Sequence, residues 1–151
     1  MKIKIMIDEG AMMPTRAHET DAGLDLYTPK DIIIPGSKGM PGAFLTDVSV
    51  GSATIDTGVH IEIPRGYVGF IKSKSGLMVN HGLTADGTID CGYTGSIRVK
   101  LFNHTLKDYT FKAGDKIAQL VLLPIITPEL EEVYSLEETE RGDGGFGSTG
   151  R

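Results

Sequence analysis

Apolar and polar residues alternate along this chain with a period of two, the pattern of β-strands that bury one face. The alternation is clear in three segments, residues 3–7, 59–63 and 97–101. A fourth segment, KIAQLVLL at 116–123, is more continuously apolar and predicts a strand mostly buried on both faces. Turn-forming residues recur between the segments, at 35–36, 41–42, 64–66, 86–87 and 113–115. Many short strands punctuated in this way indicate an all-β sandwich or barrel.

Two segments depart from the strand pattern. Residues 75–80 (SGLMVN) predict one short helix, with Ser73 or Ser75 near its N-cap and Gly82 just after its end. Residues 38–52 are less regular than their neighbours and predict a surface loop or a hairpin insertion. The expected architecture is therefore a β domain with a single helix and one insertion.

Length and charge limit the classes of function. The 151 residues suffice for one domain with its own core, and the net charge of −5 argues against a broad basic surface for nucleic acid. The single cysteine, Cys91, excludes an intrachain disulfide. No stretch approaches the ~20 apolar residues that span a bilayer. We expect a cytoplasmic protein with neither a membrane nor a nucleic-acid partner.

Residues 141–151 form a glycine-rich tail that also carries Arg141, Phe146, Ser148 and Thr149. Such a tail cannot build a core, so we expect residues 1–140 to form the domain and residues 141–151 a flexible arm. Glycine-rich termini are commonly disordered. The same strip also suits a ligand that joins an aromatic ring to phosphates, because guanidinium groups pair with phosphate oxygens and rings stack.

Two upstream clusters combine charge with turn-forming residues. In TDAGLDLY (20–27), the carboxylates of Asp21 and Asp25 could cap backbone amides of a turn, or a carboxylate here could orient metal-bound water. In KSKSG (72–76), two lysines and two serines at the start of the predicted helix form either an anion site or an ordinary solvated loop.

Two further clusters lie in the second half of the chain. In GTIDCGYTG (87–95), Asp90 could project from a hairpin into a pocket or simply form a turn, and Tyr93 could face a sugar or pack across strands. Cys91 has no neighbouring base and is expected to pack rather than react. In GDKIAQLV (114–121), the amide of Gln119 lies in an apolar strand and needs a partner from the protein or a ligand.

Taken in order, the five segments resemble the motifs of the trimeric dUTP diphosphatase, or dUTPase, family. The closest likenesses are TDAGLDLY, KSKSGL, GTIDCGYTG, GDKIAQLVLLP and RGDGGFGSTG, which together extend over residues 20–150. The resemblance implies a jelly-roll-like subunit of the dUTPase β-clip type and a homotrimer with active sites at the subunit interfaces. It also implies the hydrolysis of dUTP to dUMP and pyrophosphate with Mg²⁺, which keeps uracil out of DNA and supplies dUMP for thymidylate synthesis.

Residue roles follow from the same resemblance. Asp90 matches the base that deprotonates the attacking water, and Tyr93 matches the ring that stacks on deoxyribose and excludes a 2′-hydroxyl. Asp25 matches the carboxylate linked to the metal through water. The remaining implied contacts are to uracil by the hairpin that contains Thr84, Gly87 and Ile89, to the phosphate chain by Lys74, Ser75, Gly76 and Gln119, and from the arm by Arg141, Phe146, Gly147, Ser148 and Thr149.

Two positions depart from the family pattern. Lysine stands at position 74, where the second motif usually has arginine, and it cannot make the same bidentate phosphate contact. Thr84 stands where the uracil hairpin often has asparagine, which leaves pyrimidine recognition more dependent on the backbone.

Two other functions are compatible with the same motifs. A related dCTP deaminase would need a catalytic glutamate after the third motif, and residues 95–107 contain no carboxylate. A dUTP-sensing regulatory protein could use residues 38–52 to contact a protein partner, but such a sensor has no need for the base Asp90.

Overall fold

The computed structural model describes residues 2–39 and 49–145 of the chain. Within those ranges it contains ten strands and one helix. In chain order they are β1 (Ile5–Ile7), β2 (Gly23–Tyr27), β3 (Ile32–Ile34), β4 (Gly51–Asp56), β5 (Val59–Ile61), β6 (Tyr67–Lys72), α1 (Ser75–His81), β7 (Leu83–Ile89), β8 (Arg98–Asn103), β9 (Tyr109–Phe111) and β10 (Lys116–Pro124).

Six strands build the main antiparallel sheet in the order β2-β10-β6-β7-β8-β4. Two smaller antiparallel pairs, β1-β5 and β3-β9, complete the β structure of the described residues. The predicted all-β, jelly-roll-like architecture is therefore confirmed. This strand order places β2 beside β10, so residues from opposite ends of the sequence become neighbours.

The core lies on one face of the main sheet, as the period-two pattern predicts. On β8, Val99 and Leu101 are buried, whereas Arg98 and Lys100, which alternate with them, are exposed. Burial of such side chains contributes about 25 cal/mol for each Å² of apolar surface removed from water. The opposite face carries the row formed by Asp25, Gln119, Lys72 and Asp86, and the candidate site lies there.

Helix α1 confirms the one predicted helix, with a different N-cap. The cap residue is Lys74, which makes no side-chain capping bond. The hydroxyl of Ser73 instead donates to the Ala85 carbonyl at 3.0 Å and accepts from the Ala85 amide at 2.8 Å, so it ties the helix entry to β7. Gly82 ends the helix in the left-handed region at φ 61°, where glycine is favoured because it has no Cβ.

The segment expected as an insertion, residues 38–52, is pinned at its base. Lys38 and Ser49 exchange two backbone hydrogen bonds of 2.8 Å in an antiparallel bridge. Gly51 and Ser52 already belong to β4, so the last residues of the segment are part of the main sheet. Residues 40–48 lie outside the described part of the chain. In the part described, no helix has the length and apolarity needed to cross a bilayer.

Candidate active site

Asp25 on β2 is the centre of a charged cluster on the polar face of the sheet. The residue is only 3% exposed. One oxygen accepts hydrogen bonds from Lys74 Nζ at 2.5 Å and Gln119 Nε2 at 3.3 Å, and the other pairs with Lys116 Nζ at 2.7 Å. Three of the clusters identified in the sequence therefore meet at this one carboxylate.

A β-bulge in β10 explains how Lys116 and Gln119 reach the same carboxylate. Lys116 pairs with Tyr27 and Ala118 with Leu26, so Ile117 is the extra residue in the ladder. Side chains three positions apart lie on opposite faces of a regular strand, whereas the bulge brings both to one face. Lys116 and Gln119 consequently share the polar face, while Ile117 and Ala118 are buried in the core.

The cluster keeps Asp25 ionised. Burial by itself raises the pKa of the Asp25 carboxyl, but hydrogen bonds from Lys116, Lys74 and Gln119 together outweigh burial and hold the pKa below its ordinary value. The same contact raises the pKa of Lys116. Two ammonium groups against one carboxylate leave a local excess of positive charge, although the whole chain carries a net charge of −5.

In the KSKSG segment next to this cluster, both lysines and Ser73 already bind other protein groups, unlike the side chains of a solvated anion-binding loop. Lys72 pairs with Asp86 at 2.5 Å, and Lys74 pairs with Asp25. The Ser73 hydroxyl is bonded to Ala85. Ser75 and Gly76 are exposed in the first turn of α1. Lys74 must leave or share its contact with Asp25 before it can bind a phosphate.

Strand β7 carries Thr84 on the polar face, at an open cleft of about 500 Å³ that Asp86 and Phe102 also line. The Thr84 hydroxyl lies 2.8 Å from His104 Nε2. Gly87 and Ile89 follow on the same strand, with Ile89 buried in the core. The cleft has the size of a small-molecule site.

Asp90 and Tyr93 lie on the loop that joins β7 to β8, residues 90–97, which we call the 90–97 loop. Both side chains are exposed, and the Tyr93 amide donates to the Asp90 carbonyl at 3.2 Å in a tight turn. Tyr93 therefore does not pack across strands. Cys91 is also exposed, so the expectation that it packs was wrong.

The 90–97 loop and the Asp25 cluster belong to different strands of the main sheet. Asp25, Gln119, Lys72 and Asp86 form one row across β2, β10, β6 and β7. Asp90 follows the end of β7, which is three strands away from β2 in this order. Among the described residues, no hydrogen bond joins the Asp90 side chain to the Asp25 cluster.

The described part of the arm begins with a tight turn. Arg141 is exposed, and its Nε donates to the Gly144 carbonyl at 3.0 Å while its own carbonyl accepts from the Gly144 amide at 2.9 Å. The other arm residues assigned from the sequence, Phe146, Gly147, Ser148 and Thr149, lie outside the described residues.

Sequence reasoning missed Lys116 as a member of the site. It was visible in GDKIAQLV as a cation three positions before Gln119, but a regular strand would have placed it on the opposite face. Over residues 2–39 and 49–145, no three His, Cys, Asp or Glu side chains gather in a group that could hold a metal ion by themselves.

Comparison with known proteins gives one consistent family. A family model described as dUTPase matches residues 9–150. The deoxyuridine 5'-triphosphate nucleotidohydrolase of Clostridium tetani is 42% identical over 100% of this chain and 97% of its own length. That of Paramecium bursaria Chlorella virus 1 is 39% identical over 94% of this chain and 92% of its own.

Solved structures agree with the family. A mutant dUTPase of Staphylococcus bacteriophage 80alpha, solved with dUpNHpp, superposes with a TM-score of 0.84 at 30% identity and covers 99% of both chains. A mutant dUTPase of phage phi11 of S. aureus, which coordinates a structural Mg(II) ion, gives a TM-score of 0.75 at 29% identity over 91% of this chain and 99% of its own.

Proposed function

The chain belongs to the dUTPase family, and we propose that it hydrolyses dUTP to dUMP and pyrophosphate by attack of water on the α-phosphorus. This reaction removes a precursor of uracil in DNA and supplies dUMP. The main observation behind the proposal is the buried Asp25 carboxylate, which is bound by both Lys74 and Lys116. Asp90 follows β7 of the same sheet.

Asp90 is the general base in this proposal. Its carboxylate is exposed on the 90–97 loop, so a water molecule can reach it and be deprotonated for in-line attack. Water and dUTP are consumed, the bond between the α-phosphorus and the bridging oxygen breaks, and pyrophosphate leaves.

Tyr93 and β7 select the nucleoside. The Tyr93 ring stacks on deoxyribose and leaves no room for a 2′-hydroxyl, which is the proposed basis for rejecting UTP. The β7 backbone around Thr84, Gly87 and Ile89 reads the uracil edge, and its close approach excludes the methyl group of thymine. The open cleft beside Thr84 supports a nucleobase site there.

Lys74, Ser75, Gly76 and Gln119 hold the phosphate chain, and Lys116 adds a second ammonium group beside Asp25. Phosphoryl transfer is catalysed mainly by positioning and by stabilising negative charge. In this proposal Lys74 moves from Asp25 to a phosphate oxygen when the substrate binds, and Lys116 continues to neutralise Asp25.

The donor set of Asp25 fits a metal held through water. An ionised carboxylate offers roughly four lone-pair sites, and three donors already occupy the Asp25 oxygens, which leaves one for metal-bound water. Mg²⁺ would neutralise charge on the phosphates when it arrives with the substrate, because it keeps several waters and prefers phosphate oxygens.

A homotrimer with shared sites is the proposed assembly. Asp90 follows β7, three strands away from Asp25 in the main sheet, and within the described residues no hydrogen bond joins the two groups, which supports sites built from two copies. A second support is the stretch after β10, where the apolar residues Ile126, Leu130, Tyr134 and Leu136 are 86–111% exposed. Side chains of this kind are normally covered, and neighbouring copies would cover them.

The arm completes the proposed site. Residues 1–140 form the β domain and residues 141–151 the arm, from which Arg141 pairs with the γ-phosphate and Phe146 stacks over uracil. Gly147, Ser148 and Thr149 lie against the terminal phosphates in the same proposal. A glycine-rich arm can close over bound substrate and open to release product.

A pyrophosphate-release assay with dUTP, dTTP, dCTP and UTP in the presence of Mg²⁺ tests the function. We expect turnover of dUTP far above that of the other three nucleotides. Asp90→Asn should abolish release while dUTP still binds, as measured by calorimetry, because the amide keeps the shape of the side chain but cannot accept a proton. Unchanged turnover by this variant would refute the role of Asp90.

The names of the relatives favour the hydrolase over the sensor and deaminase alternatives. Ammonia release from dCTP in the same assay would instead support a deaminase. The cytoplasmic location stays a prediction from the sequence.

A further inference from the structure

The 90–97 loop is anchored at its second half to the turn between β4 and β5. Tyr93 Oη donates to the Ser96 carbonyl at 2.9 Å, and the Ser96 hydroxyl donates to the Asp56 carboxylate. The Ile97 amide donates to the Val59 carbonyl at 2.8 Å. The first half of the loop, which carries Asp90, projects from this anchored base into solvent.

His60 on β5 adds a side-chain contact to the middle of the loop. Its Nδ1 lies 2.8 Å from the Thr94 carbonyl, and its Nε2 lies 3.3 Å from Asp8 Oδ2. A carbonyl and a carboxylate can only accept hydrogen bonds, so both ring nitrogens must donate if both contacts are to be made. Only the doubly protonated imidazolium has two N–H groups, and the neutral ring must give up one contact.

The charges around His60 favour that protonated form. The Thr94 carbonyl and the Asp8 carboxylate raise the pKa of His60 above its ordinary value, and Asp56 adds a smaller contribution in the same direction. Lys4 and Glu62, which line the same cavity as His60, pair with each other at 3.0 Å, and Arg98 pairs with Asp56 at 3.5 Å. The ring lines a small open cavity of about 220 Å³ and can exchange protons with solvent.

We propose that His60 is a positioning residue for Asp90 and Tyr93, because its imidazolium form bridges Asp8 to Thr94 and fixes the 90–97 loop. The inference rests on the proposed roles of Asp90 and Tyr93. Because the pKa of His60 is raised, the bridge is complete at low pH and is lost as the pH rises through that pKa. Loss of the bridge loosens the loop next to the sugar-stacking ring.

The first test is a pH profile of kcat/KM for dUTP and for UTP, measured with the full chain and Mg²⁺. In the unmodified protein, kcat/KM for dUTP should fall as the pH rises through the pKa of His60, and discrimination against UTP should fall with it. His60→Gln can donate hydrogen bonds from a single nitrogen at any pH, so it lacks both the second donor atom and the charge of the imidazolium. We expect it to lose about tenfold in kcat/KM at low pH and to lack the histidine-dependent limb.

Two further variants sharpen this test. Asp8→Asn keeps the size of the side chain but removes the charge that stabilises the imidazolium, so the limb should move to lower pH. His18→Gln, at an exposed histidine away from the loop, is the matched control and should keep the profile of the unmodified protein. The proposal would be overturned if both His60→Gln and Asp8→Asn kept the pH profile of kcat/KM and the UTP discrimination of the unmodified protein.

The second test does not depend on activity. In ¹⁵N-labelled protein, amide signals of residues 91–96 should titrate with the same midpoint as the His60 ring, and that titration should vanish in His60→Gln. If the amide signals of the loop did not change with the His60 titration, the proposal would be overturned even in an active enzyme. If these signals did change with it but the protein did not turn over dUTP, the bridge would be upheld and the proposed function refuted.

Discussion

At the scale of single residues, Asp25 is a buried charge at the centre of the proposed phosphate site. The residue is 3% exposed, and three side-chain donors compensate for the lost hydration of its carboxylate. The sequence suggested that Asp21 and Asp25 cap backbone amides or that one of them is linked to a metal. Asp21 does cap a turn, because its carboxylate accepts from the His18 amide at 3.0 Å. The partners of Asp25 are instead the side chains of Lys74, Lys116 and Gln119. Neither Lys74 nor Lys116 could be matched with Asp25 from the sequence, because residue spacing carries no information about contacts between distant strands.

Removing the Asp25 charge should destabilise the protein. We expect Asp25→Asn to lower the free energy of unfolding by about 2 kcal/mol at neutral pH, because two ammonium groups lose an ionised partner. The lowered pKa of Asp25 means that its contribution is present above the unfolded value of about 3.9 and is lost as the pH falls through the folded value. Urea unfolding at fixed protein concentration, followed from neutral to acid pH, measures both effects.

Asp31→Asn is the matched control for this prediction. Asp31 also pairs with a lysine, Lys112, at 2.7 Å, but both side chains are largely exposed. Exposed pairs typically contribute less than about 1 kcal/mol, so this variant should stay close to the unmodified protein. Equal losses in the two variants would contradict a special role for the buried Asp25.

At the scale of elements, the predictable features are those that depend on local pattern. The alternation at 3–7, 59–63 and 97–101 corresponds to β1, β5 and β8, and the apolar run at 116–123 lies within β10. The bulge in β10 was not predictable, because it depends on pairing with β2 rather than on the sequence of β10 alone. That bulge determines which side chains of GDKIAQLV reach the candidate site. The position of Lys116 in the site was therefore not predictable either.

The structure of the 90–97 loop predicts how a substitution at Gly95 changes the discrimination against UTP. A Cβ at this position would lie 2.6 Å from Tyr93 Oη, so alanine must displace the ring. Tyr93 is an exposed side chain that can move cheaply, and we expect Gly95→Ala to change stability by less than about 0.5 kcal/mol. The displaced ring should no longer exclude a 2′-hydroxyl, so the ratio of kcat/KM for dUTP to that for UTP should fall by about tenfold.

A double-mutant cycle that combines Gly95→Ala with Tyr93→Ala tests whether the displaced ring causes the loss of discrimination against UTP. If alanine at position 95 acts only through the ring, it should have no further effect on the dUTP to UTP ratio once the ring is absent. Additive losses in the double variant would indicate that Gly95→Ala disturbs the loop backbone instead.

At the scale of the whole molecule, the main sheet carries two groups of proposed site residues on different strands. The Asp25 cluster lies at β2 and β10, whereas the proposed base Asp90 follows β7, three strands away from β2 in the sheet order. The sequence suggested a shared site only through its resemblance to a trimeric family. The strand periodicity and the spacing of the motifs could not predict a shared site, because an interface depends on the fit between two folded surfaces.

Mixed oligomers test the shared site directly. Asp90→Asn and Lys74→Met subunits, each inactive when expressed alone, should regain activity when they are co-expressed and purified together through two different tags. If every site takes position 90 from one copy and position 74 from its neighbour, each mixed trimer selected through the two tags keeps one of its three sites intact, or about one third of full activity. Lys74→Met leaves Lys116 and Gln119 on Asp25, so the variant should fold and assemble. A double variant that carries both substitutions in one chain, mixed with the unmodified chain, is the matched control and should also show reduced but measurable turnover. If mixtures of the two single variants stayed inactive while that control turned over dUTP, both residues of each site would come from one chain, and the interface-shared site would be wrong.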